Sequence, residues 1–219
     1  MQWADAEKEL RRAIELNPSY ALARIWYANV LMSRNRMTEA LQQAFVARDL
    51  DPFSLIINTN VGWILDVAGR PADAVRHLEQ TVALDSEYVQ ARWRLTGALL
   101  RAGRLTDAME QAERLVRRTE RSAPMLGLLA MVCSKVGDTA RVRGILEELR
   151  ERSRRQYVPP WTMAGVFLTL GQRDSAVSWI ERAFAERSNA IAYLLTDPGY
   201  APLRGDPRYK AMLIRAGLQ

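Results

Sequence analysis

Reactive side chains are few, and their spacing sets the first limits on function. The 219-residue chain holds one histidine, His77, and one cysteine, Cys133. One cysteine cannot close an internal disulfide, and this pair cannot supply the ligands of an ordinary Cys/His metal centre. His77 stands between Arg76 and Leu78, in a helical register expected to face outward, so the spacing favours a solvated surface imidazole over a general base. Cys133 falls on an apolar stripe with Leu129 and Ala130, where a thiol is buried and inert. Carboxylate pairs such as Glu147/Glu148 lie among arginines at helical spacing, and surface pairing at i, i+3 and i, i+4 accounts for them. Neither a G-x-x-x-x-G-K-[ST] loop nor a G-x-G-x-x-G turn occurs. No catalytic residue, metal or cofactor is expected.

Charge is the next candidate for chemistry. The formal net charge is +6, and apart from Lys8, Lys135 and Lys210 every basic side chain is arginine. Arg114, Arg117, Arg118 and Arg121, followed by Arg141, Arg143, Arg150, Arg152, Arg154 and Arg155, make the 114–155 stretch strongly basic. An acidic protein or a nucleic acid could use such a surface. The aromatic residues that single-strand binding needs are missing there, and Glu147, Glu148 and Glu151 interrupt the run. A solvated helix face is the expectation, and nucleic acid is not an expected partner.

The elements that position these residues repeat. Stepping by 34 from Ala6 gives Ala40, Ala74, Ala108, Val142 and Ala176. The same step from Gly69 gives Gly103, Gly137 and Gly171, with Asn35 one step before. From Ala28 it gives Gly62, Thr96, Ala130 and Ala164, and from Ala13 it gives Ala47, Thr81, Leu115, Leu149 and Ala183. Antiparallel helices approach closely only where side chains are small, which explains the alanine rows. The turn between two helices needs a residue that tolerates a left-handed backbone, which explains Gly and Asn. Pro18 and Pro52, also one period apart, end helices they cannot continue. Between these marks the apolar spacing is helical, as in Ala91, Leu95, Ala98, Leu99 and Ala102. Sustained period-two alternation is absent, so no sheet is expected.

The period, the small-residue rows and segments such as 72–85 resemble the tetratricopeptide repeat over roughly residues 3–188. The resemblance implies an all-α, right-handed α-solenoid of about five hairpins, with a leading odd helix and a C-terminal capping helix. On this phase the odd helix is 3–16 and the repeats are about 21–54, 55–88, 89–122, 123–156 and 157–188, with a cap over 189–219. The chain departs from the family pattern where a large aromatic is common early in the first helix: Arg24, Asn58, Arg92, Leu126 and Pro160 take that register. The 120–155 repeat diverges most.

The resemblance also implies a non-catalytic protein–protein interaction scaffold. Its ligand-facing register, the concave groove, maps onto Ile25, Asn29, Thr59, Trp63, Trp93, Arg101, Met131 and Trp161, together with Met32, Ile56, Asp66, Gly97, Leu100, Ser134, Lys135 and Gly165. A lining rich in Trp and Met with few charges suits an apolar or amphipathic peptide. Family members that clamp a terminal carboxylate use Lys, Asn and Arg at fixed inner positions. Here Ile25, Thr59 and Trp93 fill one such row and only Asn29 fits the other, which argues against acidic chaperone tails.

The ends add two expectations. The phase opens on a second helix, leaving Ala6, Leu10, Ala13 and Ile14 without a hairpin partner. Residues upstream are therefore expected, and the chain is expected to be a monomer or a weak dimer through that helix. The run 157–161, with Leu170-Gly171, Trp179-Ile180, Glu186-Arg187-Ser188 and the Asp197-Pro198…Asp206-Pro207-Arg208-Tyr209 ending, is similar to the C-terminal repeat regions of bacterial multidomain regulators. Those regions follow a Ser/Thr kinase, a nucleotide cyclase or a winged-helix domain. This likeness implies a second function: a regulatory or sensory tail acting in cis on an N-terminal domain of the same polypeptide. Asp206 as N-cap, Pro207 at the first helical position and Gly217 as stop predict a final helix. No apolar run approaches the ~20 residues of a membrane span. The opening Met1–Glu7 lacks the basic-then-apolar order of a secretory leader. A cytoplasmic location is the expectation, or a periplasmic one for the tail of a membrane-anchored parent.

Overall fold

A computed structural model of the chain describes residues 3–218. Met1 and Gln2, which open the segment read above for a leader, and Gln219 lie outside the described residues. The helices are α1 (Trp3–Leu16), α2 (Ala21–Ser33), α3 (Met37–Leu50), α4 (Leu55–Val67), α5 (Pro71–Leu84), α6 (Val89–Arg101), α7 (Leu105–Arg118), α8 (Ala123–Lys135), α9 (Thr139–Ser153), α10 (Pro160–Thr169), α11 (Arg173–Ala185) and α12 (Pro207–Ala216). Two 3₁₀ turns, Asn189–Tyr193 and Pro198–Leu203, precede α12. No strand occurs among the described residues. The chain is all-α, as the periodicity requires. None of these helices is long and apolar enough to cross a membrane.

The chain divides into two compact units. One runs to Ala102 and includes Gly217 and Leu218, and the other is Gly103–Ala216. In the first, α2 packs on α3 and α4 on α5 as hairpins, and α2, α4 and α6 also meet one another. The small-residue rows sit where the helices touch: Ala28, Ala40, Ala74 and Ala47 are fully enclosed, and Thr81 nearly so. A Cβ at Gly62 would collide with the Leu78 side chain, so α4 and α5 reach their separation only because that position has none. Ala6 and Ala13 of α1 are half-exposed. The turn residues adopt the expected backbone, with φ of 60° at Asn35 and 77° at Gly69.

The register that lacks the family's aromatic has its own role in this unit. Arg24 Nε and Nη2 donate to the Pro18 carbonyl at 3.0 and 2.8 Å. Asn58 Nδ2 donates to the Pro52 carbonyl at 2.8 Å, and Arg92 Nε to the Ser86 carbonyl at 2.5 Å. Donors and acceptors each recur every 34 residues. A polar side chain six residues past each acceptor thus satisfies a carbonyl of the loop between hairpins.

In the second unit α8 pairs with α9 and α10 with α11. The departures from the small-residue rows are absorbed in its core: Leu115, Val142 and Leu149 are at most 1% exposed, and Leu126 is fully buried in the register of Arg24 and Asn58. Cys133 is buried as well, and burial raises its thiol pKa. The last helix forms as its signals predict. Asp206 Oδ1 accepts from the Arg208 and Tyr209 amides at 2.8 and 3.3 Å, and Gly217 follows at φ 70°. Tyr209, Met212 and Ala216 are its buried face. The Tyr209 hydroxyl donates to the Leu194 carbonyl at 2.5 Å.

Candidate binding surface

Two cross-helix links in the first unit are built on one sequence spacing. Asn29 Nδ2 on α2 donates to Asn60 Oδ1 on α4 at 2.9 Å. One period later, the Arg94 guanidinium on α6 lies over the Trp63 ring on α4, 3.7 Å from its centroid, and 5.1 Å from that of Trp93. Both links join positions 31 residues apart, and Asn29/Trp63 and Asn60/Arg94 are each separated by one period. A guanidinium on an indole face is an electrostatic as well as a packing contact.

A third link is ionic. Asp66, at the end of α4, is only 2% exposed and pairs with Arg101 at the end of α6, whose Nε donates to Asp66 Oδ1 at 2.6 Å and whose Nη2 also bonds the carboxylate. Gly97 makes room for it, since a Cβ there would stand 3.0 Å from Arg101 Nη2. A carboxylate so enclosed needs this partner, because an unpaired charge at low dielectric is strongly disfavoured. Asn29 Oδ1 and Thr59 Oγ1 are buried and accept no hydrogen bond from the described residues.

The predicted lining residues have different fates. Ile25 and Met32 are fully buried core and present no surface to a ligand. Asn29, Thr59 and Trp63 are 5%, 5% and 7% exposed. Trp93 is half-buried and Arg101 exposed. Met131 and Trp161 are half-buried and belong to the second unit, where Ser134 Oγ donates to the Thr169 carbonyl.

Two features of the surface escaped sequence reasoning. Arg94, over the Trp63 ring, adds a charge to a lining for which only Asp66, Arg101 and Lys135 were expected to supply one. Its exposed aromatic is Trp26, 47% exposed, which no reading of the sequence singled out. The 34-residue step from Arg94 to Asn60 to Trp26 is the signal that would have found both.

His77 corrects an expectation. It is half-buried, and its Nε2 is enclosed without a hydrogen-bond partner among the described residues. Burial lowers its pKa and Arg48 adds to the effect, against a hydrogen bond with the Asn58 backbone. The Arg76 and Leu78 neighbours gave no hint of this, because the groups that face it, Arg48 and the Asn58 backbone, come from α3 and α4. Among the described residues no group of His, Cys, Asp and Glu could hold a metal ion.

Consecutive helical hairpins on a 34-residue period, with small residues at the contacts and left-handed turns, define a helical-repeat protein. Two models described as tetratricopeptide repeat match, at residues 2–54 and 68–132, together more than half of the sequence. The chain belongs to the tetratricopeptide repeat family. Its fold is similar to that of PilW, a type IV pilus biogenesis factor, at TM-score 0.65 and 17% identity over 92% of this chain and 90% of that one. It is also similar to TTC0263, a thermophilic TPR protein from Thermus thermophilus, at TM-score 0.61 and 18% identity over 89% and 99%. YrrB, described as a TPR protein with an unusual peptide-binding site, matches at TM-score 0.51 and 18% identity over 84% and 95%. No curated protein matches the sequence significantly. The family makes this chain a protein–protein interaction scaffold.

Proposed function

We propose that the α2/α4/α6 row of the first unit receives an apolar or amphipathic protein segment, and that the chain works by binding alone, without catalysis. The observation that carries this reading is Trp26, an aromatic left 47% exposed in line with the Asn29–Asn60 and Trp63–Arg94 links. Exposed Trp is costly in water and common among the few residues that dominate binding energy. The links on either side hold the surface rigid, which lowers the ordering cost of binding. Trp93 is a second anchor beside Arg94. The peptide-binding site in the description of YrrB is a precedent on the same fold. Met131 and Trp161 would serve the same role on the second unit.

The test is capture from lysate by this chain and by a Trp26→Ala/Trp93→Ala variant, read by mass spectrometry, with circular dichroism as the fold control. Retention of a protein by the parent alone supports the row as the site. The same set on both, with helicity intact, overturns it for free partners. The reading of a tail acting in cis then leads, and an N-terminal domain encoded upstream of the same chain, added in trans, is the partner to try.

A further inference from the structure

The whole positive surplus of the protein sits on one stretch of the second unit. Residues 114–155 contain 11 basic and five acidic side chains, while the rest of the chain holds 20 of each. The structure shows why pairing does not neutralise it. Glu113 is shared by Arg117 and Arg141, at 3.8 and 2.9 Å. Glu148 is shared by Arg121 and Arg152, and Glu151 by Arg154 and Arg155. Each carboxylate carries two guanidiniums, so each cluster retains a positive charge. The first cluster spans two helices, Arg117 on α7 and Arg141 on α9 meeting at Glu113, and the second is tied further by Arg152 Nη1, which donates to the Arg121 carbonyl at 2.7 Å. Arg141, Glu148 and Arg152 recur at seven and four residues along α9, one side of that helix, α7 and the turn after it supply Glu113, Arg117 and Arg121, and Arg154 and Arg155 follow directly at the end of α9.

That turn is itself unusual. Glu120 and Arg121 are consecutive non-glycine residues with φ of 48° and 59°, a conformation that costs free energy for residues with a Cβ. One and two periods earlier the position of Glu120 is Ser86 and Pro52. The left-handed pair carries Arg121 to Glu148, which it holds through both Nε and Nη2. The Arg121 and Arg152 guanidiniums keep the Glu148 carboxyl below the usual range. The arrangement is thus already one that receives carboxylates through the planar fork of arginine.

We propose that this arginine face of α7 and α9 is a second docking surface, for an acidic protein segment whose Asp and Glu side chains lie between the paired guanidiniums. Charge complementarity selects the occupant. A nucleic acid suits the face less well than an acidic protein segment, because no aromatic residue between 114 and 155 offers a base a stacking surface. The proposal is independent of the row on the first unit.

The test is a fluorescence titration of the full chain with a labelled peptide alternating Glu and Ser, beside its Gln-for-Glu counterpart. Arg154→Gln/Arg155→Gln is the diagnostic variant, since those side chains are 75% and 82% exposed and their loss leaves the core alone. Arg12→Gln/Arg76→Gln removes the same charge from the first unit, at side chains 63% and 70% exposed. The Glu peptide should bind in a salt-sensitive manner, the Gln peptide should not, and the diagnostic variant should lose about fivefold or more in affinity while the control loses less than about twofold. Trp26→Ala/Trp93→Ala should leave this binding unchanged, which separates failure here from failure of the first surface. Equal losses in both arginine variants, or equal binding of both peptides, overturn the proposal. So does a DNA duplex or RNA strand that binds more tightly than the Glu peptide and weakens in the diagnostic variant, because the face then belongs to nucleic acid.

Discussion

The two units solve the same repeat problem with different chemistry. In the first, Arg24, Asn58 and Arg92 tether the loops through carbonyls, and Asn–Asn, Trp–Arg and Asp–Arg links join α2 to α4 and α4 to α6. In the second, the tether register is taken by the buried Leu126 and Pro160, and Leu115, Val142 and Leu149 stand at three positions of the small-residue rows, beside the buried Ala108, Ala130 and Ala176. Ionic chemistry has moved there to the exposed faces of α7 and α9. A 34-residue period thus does not prescribe how the hairpins are held. It prescribes positions, which either polar tethers or apolar filling can occupy. Where polar groups work inside the framework, their geometry is fixed by neighbours. Where they sit outside it, they are available to a partner.

Overfilling the tightest contact should have the largest effect. Ala74 is fully enclosed, and Ala74→Trp should destabilise the first unit by about 3 kcal/mol or more, read as a lowered urea midpoint. Unchanged stability would break the placement of the alanine row.

Exchanging the two solutions should be asymmetric. Leu126→Asn puts an amide into a fully buried apolar position and should cost about 2–4 kcal/mol. Asn58→Leu removes one tether and should cost about 1 kcal/mol. Equal losses would mean that the tethers matter as much as the core filling.

Arg101→Ala strands the buried Asp66 and should cost about 2–3 kcal/mol, with Asp66→Leu/Arg101→Met recovering most of it. A double variant no better than the single would show that the pair's other contacts, not the stranded charge, set the loss.

The smallest effect is a pH dependence. The folded pKa of His77 is depressed below the unfolded value of 6.5, so the unfolded state binds more protons just below that pH. Its contribution is present above about pH 6.5 and is lost as pH falls through the unfolded value towards the folded one. Thermal midpoints should decline between about pH 7.5 and 5.5, and His77→Gln should flatten that decline. An unchanged slope would place the dependence on other groups.

Much of this protein was legible without coordinates. The step of 34 located the helices, the left-handed turns at Asn35 and Gly69, and the enclosed rows of Ala40 and Ala74. Asp206, Pro207 and Gly217 located the last helix. These features are local or strictly periodic: a turn needs a residue that tolerates positive φ, and a helix contact needs a small side chain, wherever the repeat places it. The surface was less legible. Ile25 matched the family's ligand register yet is core, His77 has polar and apolar neighbours in sequence yet is enclosed, and Trp26 and Arg94 went unread. Burial depends on what the next repeat brings across, and that is a property of packed side chains rather than of spacing. The same holds for charge. The sequence by itself determined that 114–155 is basic, but only the tertiary structure decided that Glu148 and the adjoining Glu113 are each shared by two arginines, because that sharing joins side chains up to 28 residues apart across two helices and a turn.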